Sequence, residues 1–371
     1  MIYLHVPFCG SFCTYCDFYS EICRSAQAFN EYADAVIAEI RDRQKELEMN
    51  MSARDAVNTL YIGGGTPSVL PLDVLARIVS AVTEPVEVTS PFEEFTVEVN
   101  PEDIVEKGCE YVRGLMALGV NRISMGIQSF DDGILRWMNR RHDAARAVEA
   151  FRILRGSGVR NISIDLIFGL SQLTDEIWKD TIEKALELAP EHISAYQLSI
   201  EEGSALAKMV ADGRYVEATD EQCRRQYDIL CQSLRLAGYH HYEISNFAKP
   251  GFEAIHNSAY WRRAPYIGLG PGAHSLSGNV RSWNSQKLPH RNIVTYSRNF
   301  ETLSPEDIRV EKIMLSLRTD KGLEATELYS LADRAVIETL LNEGALELRG
   351  TRIRIPEDRL FTSDEIIREL I

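Results

Sequence analysis

His5-Val6-Pro7-Phe8-Cys9-Gly10-Ser11-Phe12-Cys13-Thr14-Tyr15-Cys16-Asp17-Phe18 decides how the rest of this chain is read. Cys9, Cys13 and Cys16 stand in a C-x3-C-x2-C run with no fourth cysteine inside it. Three soft thiolates suit an iron–sulfur cluster, and a four-iron cluster held by three ligands keeps one iron open to a further molecule. Two other readings stand beside this one. His5 would complete a Cys3His zinc site. On a helix, positions 9, 13 and 16 would share a face and pack as small buried residues. Pro7 and Gly10 argue for a loop.

Working outward, short β-like runs alternate with helical stretches. Strands are expected at Ile2–Val6, Asn58–Ile62, Phe95–Val99, Arg122–Gln128, Ile162–Phe168 and Ile193–Leu198. Helices are expected between them, among others at Gln27–Glu46 and Asp175–Leu188. This rhythm predicts an α/β fold of parallel strands with right-handed crossovers. Six units fall short of the eight of a closed barrel, so the expectation is an open, partial (β/α)6 barrel. The cysteine loop follows the first strand, and Gly63-Gly64-Gly65-Thr66-Pro67 follows the second. Both lie at strand C-terminal ends, where barrels carry their sites.

The alternation along the strands points the same way. Thr96, Glu98 and Asn100 share one face, as do Ser124, Gly126 and Gln128, and Ser163 and Asp165. A parallel sheet covered on both sides would be apolar on both faces. Three successive polar faces predict a barrel interior that holds a ligand.

The C-terminal part has another rhythm. Helices are expected at Glu306–Leu317, Ala325–Leu331, Ala335–Leu341 and Ser363–Leu370, with a hairpin of Leu346–Arg349 and Arg352–Ile355 around Gly350-Thr351. This order predicts a winged-helix-like module. The expected division is a barrel over 1–200, an extension over 201–300 and the winged-helix-like module over 301–371.

The net charge of −15 disfavours nucleic acid as a partner. No apolar run reaches membrane-spanning length. The start lacks the basic n-region of a signal peptide, and the remaining cysteines form no paired framework, so a reducing cytoplasm is the expected compartment.

With these elements in place, the chain resembles the radical S-adenosylmethionine (SAM) superfamily, whose cysteine loop has an aromatic residue before the last Cys, here Tyr15. More narrowly it is similar to the coproporphyrinogen-oxidase-like branch. The matching stretches are Tyr3–Cys9, Gly63–Ser68, Val97–Pro101, Gly119–Phe130, Ile164–Leu170 and Tyr242–Phe247. The resemblance implies a radical SAM barrel in which Cys9, Cys13 and Cys16 hold a 4Fe–4S cluster. SAM would chelate the fourth iron, and one electron would cleave it to methionine and a 5′-deoxyadenosyl radical. Tyr3, Gly64, Gly65, Thr66 and Glu98 would surround SAM, together with Gln128, Arg140 and Asp165. Arg140 can pair with a carboxylate; its other reading is a surface ion pair with Asp143 or another acid.

The branch has two kinds of member. The oxygen-independent coproporphyrinogen III dehydrogenase carries a further Cys two residues after the third, where this chain has Phe18. The HemW-type heme chaperones carry H-N-x-x-Y-W, present here as His256, Asn257, Tyr260 and Trp261. The resemblance therefore implies a heme chaperone, with His256 as axial ligand and Asn257, Tyr260 and Trp261 around the porphyrin. His240, His241 and His274 are competing ligands. Expected partners are heme, respiratory hemoproteins that accept it, a flavodoxin- or ferredoxin-like electron donor and a second copy of the chain, with peripheral contact to the inner face of a membrane. The dehydrogenase is the alternative reading, and SAM-cleaving capability is expected of both.

Overall fold

The computed structural model describes residues 1–23, 25–53, 55–84, 92–286 and 296–371. Its main sheet contains β1 (Ile2–Val6), β2 (Thr59–Gly64), β3 (Glu94–Val99), β4 (Arg122–Gln128), β5 (Ile162–Phe168), β6 (His192–Gln197), β7 (His240–Glu243), β8 (Asn246–Ala248) and β9 (Ile267–Leu269). Their spatial order is β9-β1-β2-β3-β4-β5-β6-β8-β7. Strands β9 through β6 run parallel, and β8 and β7 add an antiparallel hairpin beyond β6.

Parallel neighbours need crossover connections. These are supplied by α1 (Ala26–Asp42), α2 (Leu72–Thr83), α3 (Pro101–Ala117), α4 (Ala144–Gly156) and α5 (Asp175–Leu188), while α6 (Asp220–Leu236) leads into β7. Each helix buries one stripe. In α2 the stripe is Val74, Leu75, Ile78, Val79 and Val82, the spacing of one helical face. It packs into a core that takes the apolar sides of the strands, including Val97, Val99, Ile123, Met125, Ile162 and Ile164. Each such side chain contributes roughly 1.5–3 kcal/mol on burial. The polar sides are left facing inward.

The six βα units read from the sequence are present, but the sheet is larger than expected. The segment over 201–300 contributes β9 to one end and the β7–β8 hairpin to the other. β8 and β9 are three residues each, too short for an alternation signal. No ladder joins β9 to β7 among the described residues, so the sheet stays open. The single helix expected over Gln27–Glu46 is also divided, into α1 and Gln44–Met51. Arg43 sits at the break, 2 % exposed, and bonds Glu39 Oε1 at 2.9 Å, the Gly268 carbonyl at 2.6 Å and Ser275 Oγ at 3.1 Å. These bonds tie the first helix to the far edge of the sheet.

The last third has the expected helices and hairpin, with one short strand between the first two helices that was not expected. After α7 (Ile255–Trp261) and a small antiparallel sheet of β10 (His274–Ser277), β11 (Val280–Asn284) and β12 (Arg298–Thr302) come α8 (Pro305–Leu317), β13 (Leu323–Glu324), α9 (Ala325–Leu331), α10 (Arg334–Asn342), β14 (Glu347–Arg349) and β15 (Arg352–Arg354). β15 is the central strand between β13 and β14. α11 (Ser363–Leu370) closes the chain.

Candidate functional site

The cysteine loop is stapled at its base and along its side. Phe8–Cys9 forms a parallel ladder with Glu21–Ile22, which closes the loop on itself. Thr14 N donates to the Met138 carbonyl at 3.1 Å, and Thr14 Oγ1 to the Trp137 carbonyl at 2.9 Å. Asn139 Nδ2 donates to the Phe12 carbonyl at 2.7 Å. The loop is thereby fixed to the turn that carries Arg140. The glycine turn docks from the other side: Gly65 N donates to the Val6 carbonyl at 2.8 Å, and Thr66 N to the Phe8 carbonyl at 2.7 Å. Gly64 adopts φ +110°, and a Cβ there would lie 2.5 Å from His5 Nδ1. A Cβ on Gly65 would lie 3.0 Å from Cys9 Sγ. Side chains at these positions would push the turn off the cysteine loop.

Cys9, Cys13 and Cys16 open into a cavity of about 1010 Å³. Its other walls are the inward polar residues of β2 to β6, among them Tyr61, Glu98, Arg122, Ser124, Asp165, Ser194 and Tyr196, with Gly64, Gly65, Thr66, Gln128 and Arg140 near the mouth. Gln128 holds φ +72° at the end of β4, beside a register shift after Gly126. For a residue other than glycine this costs about 1–3 kcal/mol, and such strain is concentrated at functional sites. It brings the amide to the cavity wall.

The electrostatics are those of a site built for a charged guest. Burial pushes the Glu98 carboxyl up to about 7; the Tyr61 hydroxyl opposes the shift, and Asp165 adds to it. Tyr61 Oη donates to Glu98 Oε1 at 2.7 Å, and Gly64 N to Oε2 at 3.1 Å. Burial raises Asp165 to about 6, against the Ser194 and Ser124 hydroxyls and the Arg122 and Arg140 charges. Two carboxyls held above their usual range gain most from a cationic partner. Arg140 donates from Nη1 to Cys13 Sγ at 3.4 Å and from Nη2 to the Gly126 carbonyl at 2.5 Å. Its Nε is buried with no partner among the described residues, a donor left for a ligand.

The donor set fits a cluster better than the alternatives. The three thiols share one loop rather than a helix face. Burial raises the Cys9 thiol and pushes Cys16 up to about 11, so these two hold their protons when metal-free and binding iron displaces them. His5 is engaged at both ring nitrogens, by Tyr3 Oη at 3.0 Å and the Tyr19 carbonyl at 2.9 Å, which leaves no lone pair for a Cys3His zinc site. Arg140 does not make the surface ion pair with Asp143; Asp143 caps α4 instead, accepting from Arg146 N at 2.8 Å.

Of the residues expected around SAM, Gly64, Gly65, Thr66, Glu98, Gln128, Arg140 and Asp165 line the cavity. Tyr3 does not: it stands behind the wall, its ring 6.1 Å from that of Tyr61. Tyr61, Arg122, Ser194 and Tyr196 were not picked out from the sequence as site residues. They occupy the inward register of β2, β4 and β6, so extending the alternation to every residue of each strand would have found them.

The H-N-x-x-Y-W residues are brought together on α7, but not as an open ligand. His256 is 1 % exposed. Its Nδ1 lies 2.8 Å from Thr59 Oγ1 and its Nε2 3.2 Å from Tyr260 Oη. Its ring packs against Tyr61 at 5.2 Å, and burial lowers its pKa to about 3. The ring is thus enclosed behind the cavity wall, with a hydrogen-bond partner at each nitrogen. Within the motif, Asn257 lines the cavity, whereas Tyr260 and Trp261 do not.

The chain is similar to known proteins. A family model for the radical SAM superfamily matches residues 3–185. The chain is 34 % identical to the heme chaperone HemW of Lactococcus lactis subsp. lactis, over 95 % of this chain and 89 % of that protein. It is 32 % identical to the heme chaperone HemW of Mycobacterium tuberculosis, over 100 % of this chain and 94 % of that protein. Among solved structures, the coproporphyrinogen III oxidase HemN of Escherichia coli, a radical SAM enzyme, superposes with a TM-score of 0.78 at 22 % identity, covering 99 % of this chain and 89 % of that one. That likeness speaks for the fold. The cysteine loop, the polar barrel interior and the end-to-end similarity agree: the chain belongs to the radical SAM superfamily and, within it, to the HemW family.

Proposed function

We propose that the protein carries heme to hemoproteins, with a 4Fe–4S cluster on Cys9, Cys13 and Cys16 and SAM in the cavity beside it. One observation carries this reading: three cysteines, two cation-seeking carboxyls and a buried arginine open into one cavity, in a chain similar from end to end to HemW heme chaperones. When bound, the cluster supplies one electron to SAM. The chain's own residues do the rest. Arg140 offers its free Nε–H to a carboxylate and holds Cys13 through Nη1. Glu98 and Asp165 accept from an ammonium or from ribose hydroxyls, and an arriving cation draws both into the ionised form. Thr66 donates to Cys9 Sγ at 3.6 Å, which steadies the first thiolate.

Phe18 occupies the position where the dehydrogenase has its extra cysteine, and 63 % of it is exposed at the loop. Self-association, peripheral contact with a membrane and reduction by a flavodoxin- or ferredoxin-like donor in the cytoplasm belong to the same reading. No helix among the described residues is long and apolar enough to cross a membrane.

The test is anaerobic. Protein reconstituted with iron and sulfide is titrated with SAM and with heme, and heme transfer to an apo-hemoprotein is followed by its absorption. The expected outcome is stoichiometric heme uptake and transfer. Conversion of coproporphyrinogen to protoporphyrinogen with SAM and reductant would replace this reading by the dehydrogenase.

A further inference from the structure

Arg122 is a buried cation that the cluster and SAM leave unused. It opens β4, is 3 % exposed, and lines the main cavity. Its Nη1 donates to Asn161 Oδ1 at 3.0 Å and to the Phe252 carbonyl at 3.3 Å. Its Nε and Nη2 make no hydrogen bond among the described residues, and none of these residues sets a carboxylate at ion-pair distance from it. A guanidinium taken out of water without an anion is costly, and a guest that brings the anion offsets the cost. The free edge is the suitable one. Nε–H and Nη2–H lie side by side and match the two oxygens of a carboxylate, while Nη1, held by two acceptors, fixes the plane.

The neighbours agree. Thr96 pairs with Arg122 across β3 and β4, and its Oγ1 is buried with no partner among the described residues. The chain's own groups thus leave hydrogen bonding incomplete at two adjacent positions. Ser124, Ser163 and Ser194 add hydroxyls to the same cavity wall. Ser163 Oγ lies 2.8 Å from His192 Nδ1, and Tyr242 Oη 2.7 Å from its Nε2. Burial, and after it the Arg122 charge, keep that ring neutral, so Arg122 is the cation of this end of the cavity.

The carboxyls stand further along the strands. Glu98 is level with Ser124, and Asp165 with Gly126. Gln128, near the mouth, is about 20 Å from Arg122 along β4. The cavity therefore has two ends: a mouth with the thiols and Arg140, beside the proposed SAM site, and an inner end with Arg122. That inner end adjoins α7. Asn257 lines the same cavity, and Phe252 lies in the stretch leading into the helix. Tyr61 pairs with Thr96 and Thr96 with Arg122, so His256, packed on Tyr61, stands two strands away, about 10 Å. A carboxylate on a molecule held by α7 is within reach of Arg122.

We infer that Arg122 is the receptor for a carboxylate at the inner end of the main cavity, brought either by a propionate of heme or by a small free acid bound beside SAM. The first source rests on the heme-carrying reading; the second does not.

The experiment titrates two acids and their neutral twins, heme with heme dimethyl ester and succinate with succinamide, into full-length, cluster-loaded protein containing SAM. Wild type is compared with Arg122→Gln and Arg122→Lys. Absorption follows the porphyrins and calorimetry the small probes, while circular dichroism and cluster content check that each variant is folded. Lysine keeps the charge without the fork, and it carries the test if the glutamine variant does not fold. The expected result is that the wild type prefers an acid over its twin by roughly tenfold or more, that Arg122→Gln loses the preference and that Arg122→Lys reduces it. Found for heme, the preference assigns a propionate; found for succinate alone, it assigns a free acid. No preference for either acid in the wild type, or a preference that survives both substitutions, would overturn the receptor while leaving heme carrying untouched. A wild type that prefers succinate but takes up neither heme nor its ester would keep the receptor and overturn the heme-carrying reading.

Discussion

Glu98 shows how a single side chain can trade stability for binding. In water its carboxyl would ionise near 4.5; in the fold it holds its proton up to about 7. A raised carboxyl carries no penalty below the unfolded value. As pH rises from there through the folded value, ionisation becomes costly, to the order of 3 kcal/mol when complete. The ligand-free protein is thus strained at pH 8 by the group that a cationic ligand would stabilise. Glu98→Gln removes the charge and keeps the shape. Thermal unfolding of the cluster-free variant should show a gain over wild type at pH 8 that is absent at pH 4, while SAM affinity of the reconstituted variant falls. An equal shift at both pH values would show that ionisation of Glu98 is not the cause. For the wild type, SAM binding should strengthen as pH rises from about 6 to about 7, where Asp165 and then Glu98 lose their protons. At this scale the sequence was informative where polarity contradicted burial: Glu98, Gln128 and Asp165 stood out as polar residues in β runs. It was silent on the orientation of His256, because a motif fixes which residues meet and says nothing about whether a ring nitrogen points to solvent or to Thr59.

The elements are joined at the site by a small polar knot. Ser68 follows the glycine turn and donates to Asp103 Oδ2, in the first turn of α3, at 2.6 Å. Asn100 N, at the end of β3, donates to Ser68 Oγ at 3.0 Å. Arg141 donates to the other oxygen of Asp103 at 2.7 Å and lies under Gly10, where a Cβ would come within 2.6 Å of its guanidinium carbon. One carboxylate thus links the glycine turn, β3, α3 and the floor of the cysteine loop. Ser68→Ala leaves Asn100 N and one Asp103 oxygen without their partner and should cost about 1–3 kcal/mol. Arg141→Ala leaves Asp103, 4 % exposed, without its charge partner and should cost about 2–4 kcal/mol. Urea unfolding checks both, and iron content after reconstitution should fall more in Arg141→Ala. A variant with wild-type stability and full cluster content would mean the knot is idle. None of this was legible beforehand, since it depends on pairs far apart in the chain. The βα rhythm was legible because long strands and helices repeat their periodicity; β8 and β9 were missed because three residues make no period. The break at Arg43 was missed because residues on both sides of it favour helix, and the cause is a tertiary contact with Gly268 and Ser275.

Across the whole molecule, the C-terminal module finishes the sheet rather than hanging from it. β7 ends the sheet, and an exposed strand edge invites pairing with other chains. Here the stretch after α8 covers it: Ile244 N donates to the Arg318 carbonyl and Asp320 N to the Tyr242 carbonyl, both at 3.0 Å, and Glu243 bridges Thr319. Phe361 packs its ring 5.4 Å from Tyr227 of α6, and Glu357 lies 3.4 Å from His241. Leu317, Leu323, Leu346 and Ile353 join the same apolar core as the barrel strands. A core without a seam should melt as one unit. All four tryptophans, Trp137, Trp178, Trp261 and Trp283, lie outside the module, so their emission follows the barrel and its extension alone. Far-ultraviolet circular dichroism follows the module's helices as well. The two signals should change at one temperature in the full chain, and Phe361→Ala should lower both midpoints together. Separate unfolding of the module would appear as an early loss of helix signal with unchanged emission, and would show that its packing against the hairpin adds little to the stability of the barrel.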